Sequence, residues 1–201
     1  MFYRPGLDPH GLPHNPFKAL VAPRPIGWIA TLDAEGRRNL APYSFFNAFS
    51  DNPPTVAYGS NGAKPGSGAR KDTLANIRAT GEFVVNIVSH ALRDAMNATS
   101  APLPAGEDEF ARAGLAPLPC ETVAPPRVAG APAALECRLW RIVDLPGAEN
   151  FLVIGEVTGI HIDEATLRDG MVDVTRYAPM ARLGYHDYAA VTEVFALRRP
   201  G

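Results

Sequence analysis

Arg24-Pro25-Ile26-Gly27-Trp28-Ile29-Ala30-Thr31-Leu32 runs into Asp33-Ala34-Glu35-Gly36, and Asn39-Leu40-Ala41-Pro42-Tyr43 follows two residues later. The first run is apolar with β-branched residues, the tetrapeptide is hairpin-turn chemistry, and the second run returns as a partner strand. A β-hairpin is predicted here, and it sets the pattern for the rest of the chain.

Downstream of the hairpin, Ser44 to Pro54 reads as an irregular, aromatic-rich loop with Phe45, Phe46 and Phe49, because Pro53-Pro54 interrupts ladder pairing. Thr55 to Ser60 is a third strand, and Asn61 to Arg70 a loop of Gly, Ser, Lys and Pro. A helix is predicted from Asp72, with its carboxylate capping the first-turn amides, Leu74 and Ile77 as its apolar stripe, and Gly81 as its stop. Phe83 to Val88 is a strand, and Ser89 is placed to cap a second helix through Asn97, with Leu92 and Met96 on one face. Residues 101–134 are rich in Pro and Ala, with one acidic turn at Glu107-Asp108-Glu109-Phe110. Two longer strands, 135–144 and 151–162, flank a turn at Pro146-Gly147, and Met180 to Tyr188 is placed to close a sheet. Upstream, residues 1–16 show no period and read as an extended N-terminal arm.

Six or seven strands joined mostly by short turns, with two helices outside, predict a mainly β fold, an antiparallel barrel rather than a doubly wound parallel sheet. The 20 prolines and 18 glycines are scattered as turn residues, and 201 residues suit a single domain, 1–201. Lys plus Arg (19) nearly balances Asp plus Glu (21), which argues against nucleic acid or an anionic membrane as partner. No apolar run approaches the roughly 20 residues that span a bilayer. The opening residues lack a signal-type apolar stretch, so a cytoplasmic protein is expected. Cys120 and Cys137 are read as reduced thiols rather than a disulfide, and neither CxxC nor HExxH occurs. Without GxGxxG after a strand or a Walker-type loop, Rossmann and P-loop nucleotide sites are disfavoured.

Three segments carry chemistry. Arg24 to Thr31 by itself is a core strand with proline at its start and a glycine for close approach. Asn39 to Asn47 by itself is a strand ending in packed aromatics, yet Ser44 and Asn47 add the hydrogen-bonding groups that a flat, polar-edged ring would need. Arg70-Lys71-Asp72-Thr73 is either a solvated basic pair beside a capping Asp or an anion site, since a helix start presents free amides and a positive dipole end.

In this order, RPIGWIATLD, NLAPYSFFNAFSDNPP, KDT and GEFVVNIV resemble the flavin reductase-like family of FMN-binding split barrels. The likeness runs from Pro23 to Val88 and continues weakly through Gly155-Glu156-Val157 and Arg182-Leu183-Gly184. It implies a homodimer with FMN in a groove at the subunit interface. It places Arg24, Pro25 and Trp28 near the flavin, and Tyr43, Ser44, Phe45, Phe46 and Asn47 along the isoalloxazine edge. Ser60, Lys71, Asp72 and Thr73 would hold the ribityl chain and phosphate. The implied activity is NAD(P)H:flavin oxidoreduction, with NADH or NADPH as donor and a monooxygenase or other redox protein as partner. A flavoredoxin-like electron carrier with tightly bound FMN fits the pattern equally, and a pyridoxamine-phosphate oxidase fits it poorly. The flavin itself passes hydride, so no catalytic amino acid is assigned. His161 reads as structural, His10 and His14 as solvated, and His186 as a residue able to approach the flavin or a nicotinamide.

Overall fold

The structure, a computed structural model, describes residues 1–64, 68, 70–104 and 106–200. Seven strands form its main sheet: β1 Gly27–Leu32, β2 Arg38–Tyr43, β3 Phe46–Asp51, β4 Pro54–Asn61, β5 Glu82–Ile87, β6 Ala133–Asp144 and β7 Asn150–Ile162. Their order is β2-β1-β5-β6-β7-β4-β3, antiparallel throughout. The edges β2 and β3 do not pair with each other, so this is a split barrel.

The opening hairpin forms as predicted, from Gly27 opposite Tyr43 to Leu32 opposite Arg38. Asp33 accepts the amides of Glu35 (3.0 Å) and Arg37 (2.8 Å), and Gly36 supplies the left-handed turn residue at φ 79°. Side chains alternate along β1 with the period of two of a strand. Trp28 and Ala30 enter one core with Leu40, Val84, Met96 and Phe110. Ile29 enters the other with Tyr58, Leu74, Ile77, Phe83 and Val153. Close approach inside the second core depends on Gly155, where a Cβ would stand 2.4 Å from the Phe83 ring.

Four local expectations need correction. Phe46 to Asp51 is an edge strand, not an irregular loop: Asn52-Pro53 makes a tight turn, and Pro54 already pairs with Asp51. A proline is tolerated there because the ladder begins at it. Asp72 does not cap its helix, Asp72–Thr80; its carboxylate instead meets Lys64 Nζ at 2.7 Å, and Lys71 is the N-cap residue. Ser89 makes no side-chain cap either, and the segment starts as a 3-10 turn, His90–Leu92, before the helix Arg93–Ala98. The acidic turn is a short helix, Glu109–Arg112, capped by Asp108 through the amide of Phe110 at 2.9 Å. Gly81 ends the first helix as expected, with φ 74°.

Met180–Arg182 does close a sheet, a separate one in which it lies between Arg24–Pro25 and Tyr188–Ala190. Both cysteines are free thiols, Cys137 buried and Cys120 half-buried. His161 Nε2 meets the buried carboxylate of Glu136 at 2.5 Å.

Candidate functional site

A cleft of about 680 Å³ opens between the end of β2, the start of the helix Asp72–Thr80, the chain around residues 14–24, and the segment 182–186. Its polar end is built from the helix start. Lys71, Asp72 and Thr73 all line it, and the positive end of the helix dipole lies there. Thr73 is buried, and its hydroxyl accepts from the side-chain amide of Asn39 at 2.9 Å. Behind it, Thr31 accepts from Asn39 at 3.2 Å and from Asn76 at 3.0 Å, so the whole cluster is fixed by buried hydrogen bonds. Lys71 lies with Nζ 5.7 Å from the centre of the Tyr43 ring. Burial, and then the nearby charge of Lys18, hold its ammonium below the ordinary lysine range.

The side wall is aromatic. Tyr43 ends β2, Ser44 and Phe45 follow it, and Gly59 brings β4 tight against Phe45, donating its amide to the Phe45 carbonyl at 2.7 Å. Burial pushes the Tyr43 hydroxyl up to about 12, so it stays protonated. Glu109 also borders the cleft; its carboxylate accepts the free edge amide of Leu40 at 3.0 Å, and burial raises its pKa. Five cationic residues (Lys18, Arg24, Lys64, Lys71, Arg182) face two carboxylates (Asp72, Glu109) around this cleft, which therefore favours an anion.

Arg24 is 7% exposed, and its guanidinium donates to the carbonyls of Lys18, Val21 and Leu183. Its Nε is buried with no partner among the described residues, and its guanidinium lies 5.6 Å from the Phe45 ring centre. An unpaired buried donor at a cleft wall fits a ligand acceptor.

Of the residues singled out in the sequence, Arg24, Tyr43, Ser44, Phe45, Lys71, Asp72, Thr73 and His186 are brought together on the cleft. Five others stand elsewhere. Trp28 is fully buried and reaches the cleft only through its indole N–H, which donates to Thr99 at 2.9 Å. Phe46 packs over Gly27, where a Cβ would lie 2.9 Å from its ring. Asn47 is exposed on β3, Pro25 is exposed in its short strand, and Ser60 is buried in β4. Further residues, which no local motif singles out, share the cleft. Lys18, Lys64, Arg182 and Tyr185 line the cleft, and so does His14, expected to be merely solvated. Only the pairing of Arg24 with Arg182, far apart in sequence, assembles that side, and no local pattern announces it.

Fold and site together define a class: a split-barrel protein with a cationic, aromatic-sided cleft at a helix start. The family model described as "Flavin reductase like domain" matches residues 20–186, and the chain belongs to that family. It is 37% identical over 185 residues to the uncharacterized protein BH2278 of Halalkalibacterium halodurans, covering 90% of this chain and 87% of that one. Among solved structures, it is similar to nitrilotriacetate monooxygenase component B from Bacillus cereus, with TM-score 0.89, 33% identity and 98% of each chain covered. It is also similar to the flavoredoxin of Desulfovibrio vulgaris, with TM-score 0.77, 28% identity, and 88% and 91% of the two chains covered.

Proposed function

We propose that the cleft binds FMN and that the protein is an NAD(P)H-dependent flavin reductase. The observation that carries this reading is the pairing of an anion-receiving helix start, with Lys71 and Thr73, and a wall where Arg24 Nε lacks a partner among the described residues beside Phe45. A phosphate fits the first and the polar edge of a flat ring system fits the second. FMN supplies the chemistry of accepting and passing hydride when bound.

The chain's own residues do the holding. Lys71 and the first-turn amides neutralise the phosphate, Thr73 contributes a pre-oriented hydroxyl, and Ser44 and Arg24 hydrogen-bond the ring edge. Phe45 and Tyr43 exclude water from one side, which strengthens each of those contacts. The protonated Tyr43 hydroxyl adds no charge at the site.

Homodimerisation is part of this proposal. Phe49 is 65% exposed and Trp140 60% exposed, and they border one mostly apolar groove with Pro53, Leu152 and Ile154, to which Thr55 and Glu156 add polar groups. Large apolar groups gathered on a barrel face mark an interface, and a second copy is the occupant proposed. A monooxygenase partner is supported by likeness to a monooxygenase component B. A cytoplasmic setting is supported by the two free thiols. No helix among the described residues is long and apolar enough to cross a membrane.

The likeness to a flavoredoxin favours a second reading, an electron carrier with FMN permanently bound. One experiment tests both. Protein that quenches added FMN fluorescence and whose flavin bleaches rapidly with NADH or NADPH in the absence of oxygen supports the reductase. Bleaching only by a reduced protein donor supports the carrier, and failure to quench FMN ends both readings.

A further inference from the structure

Two segments from opposite ends of the chain are fastened together at one side of the cleft. Arg24 ties them, donating to the carbonyls of Lys18 and Val21 in one and, at 2.8 Å, to that of Leu183 in the other. Gly184 lets them touch: a Cβ there would stand 2.4 Å from Ala19 Cβ and 2.7 Å from Ala19 Cα. At the end of this contact, the rings of His14 and Tyr185 lie 5.6 Å apart with their planes inclined by 56°.

Tyr185 adopts φ 54°, a left-handed conformation that is costly for a bulky residue. Arg182 holds it there by donating to its carbonyl. Yet the Tyr185 side chain enters no core: the residue is 49% exposed, and His14 is exposed as well. The turn that joins Met180–Arg182 to Tyr188–Ala190, closed by the Leu183 amide on the Asp187 carbonyl at 3.0 Å and the Asp187 amide on the Gly184 carbonyl at 2.9 Å, sets that φ, and it leaves the Tyr185 ring half exposed beside that of His14. Both rings line the cleft, and Lys18 and His186 stand with them.

We propose that His14 and Tyr185 form the rim that seats the second reactant, a planar aromatic ring carrying an anionic group, beside the flavin. The rings offer faces and edges for stacking, and Lys18 offers the countercharge. The proposal rests on the flavin reading above. A reduced dinucleotide and a small aromatic acid share this chemistry, and the test separates them.

FMN-loaded protein is titrated calorimetrically with NAD⁺ and, separately, with benzoate, neither of which reacts with oxidised flavin. The wild type should bind at least one probe. His14→Ala and Tyr185→Ala should each weaken that probe about fivefold, the scale of one aromatic contact. FMN affinity, read by fluorescence quenching, should stay within about twofold, which also shows that the variants fold. A loss confined to NAD⁺ assigns a dinucleotide, and one confined to benzoate a small aromatic acid. The proposal is overturned if the wild type binds neither probe, if both variants bind the probe as the wild type does, or if they lose FMN in parallel. Absence of FMN binding by the wild type overturns the flavin reading too, and is seen before any probe is added.

Discussion

The side-chain amide of Asn39 donates to the hydroxyl oxygen of Thr73 at 2.9 Å, joining β2 to the first turn of the helix Asp72–Thr80. That bond fixes the Thr73 hydroxyl at the polar end of the cleft. Asn39→Ala should therefore weaken FMN about tenfold while leaving riboflavin, which lacks the phosphate, almost unchanged; losing a hydrogen bond to a charged group has that size. Parallel fluorescence-quenching titrations of the two flavins check this. Equal losses for both would make Asn39 merely structural.

Lys71 gives the same corner a pH dependence. Burial and Lys18 place its titration below the ordinary lysine value of 10.5, so its charge is lost at lower pH than that of an exposed lysine. FMN affinity should fall as pH rises, and do so below the range in which an exposed lysine loses its charge. Lys71→Ala should be weak throughout and flat over the same range, and Lys71→Ala with Thr73→Ala should bind FMN more weakly still. A wild-type profile parallel to that of Lys71→Ala would place the phosphate elsewhere.

How much of this was legible in the sequence follows from the range of the interactions. The hairpin Gly27–Leu32/Arg38–Tyr43 is local, its strands and its Asp33–Gly36 turn being written within 17 residues, and the structure pairs the two strands in full. The edge strand Phe46–Asp51 was missed because consecutive prolines read as an interruption, whereas one closes a turn and the other opens a strand. The helix-start corner was legible because dipole and side chains are neighbours in sequence. The opposite side was not: Lys18, Arg182 and Tyr185 meet through Arg24, whose partners are up to 159 residues away. Trp28 shows the limit of resemblance, since its motif is beside the cleft but its ring is in the core.

The exposed groove of Phe49 and Trp140 yields a test of assembly. Trp140→Glu puts a carboxylate into a face proposed to be covered by a second copy, and an unpaired charge buried there is strongly unfavourable. The variant should elute as a single subunit in size-exclusion chromatography with light scattering, with the wild type at twice that mass. A wild type of one-subunit mass would refute the dimer.

Acid stability should depend on Glu136. Its carboxylate is 1% exposed, and Oε1 accepts from the Glu121 amide at 2.8 Å and meets His161 Nε2 at 2.5 Å. Oε2 accepts from the amide and hydroxyl of Thr122 at 2.5 and 2.6 Å. Burial alone would raise its pKa, but these donors outweigh burial and bring it down from 4.5 to about 2. A carboxylate whose pKa is lower folded than unfolded binds fewer protons when folded, so its contribution is fully present above about 4.5. It is lost as pH falls toward about 2. Glu136→Gln keeps the shape but turns an amide group toward donors, so it should lower Tm at neutral pH. Its deficit against the wild type should then shrink as pH falls from 4.5 toward 2, because the protonated wild type loses the same advantage. Thermal melts of the two proteins across that range decide it, and a deficit that stays constant with pH would show that the Glu136 charge contributes nothing to the fold.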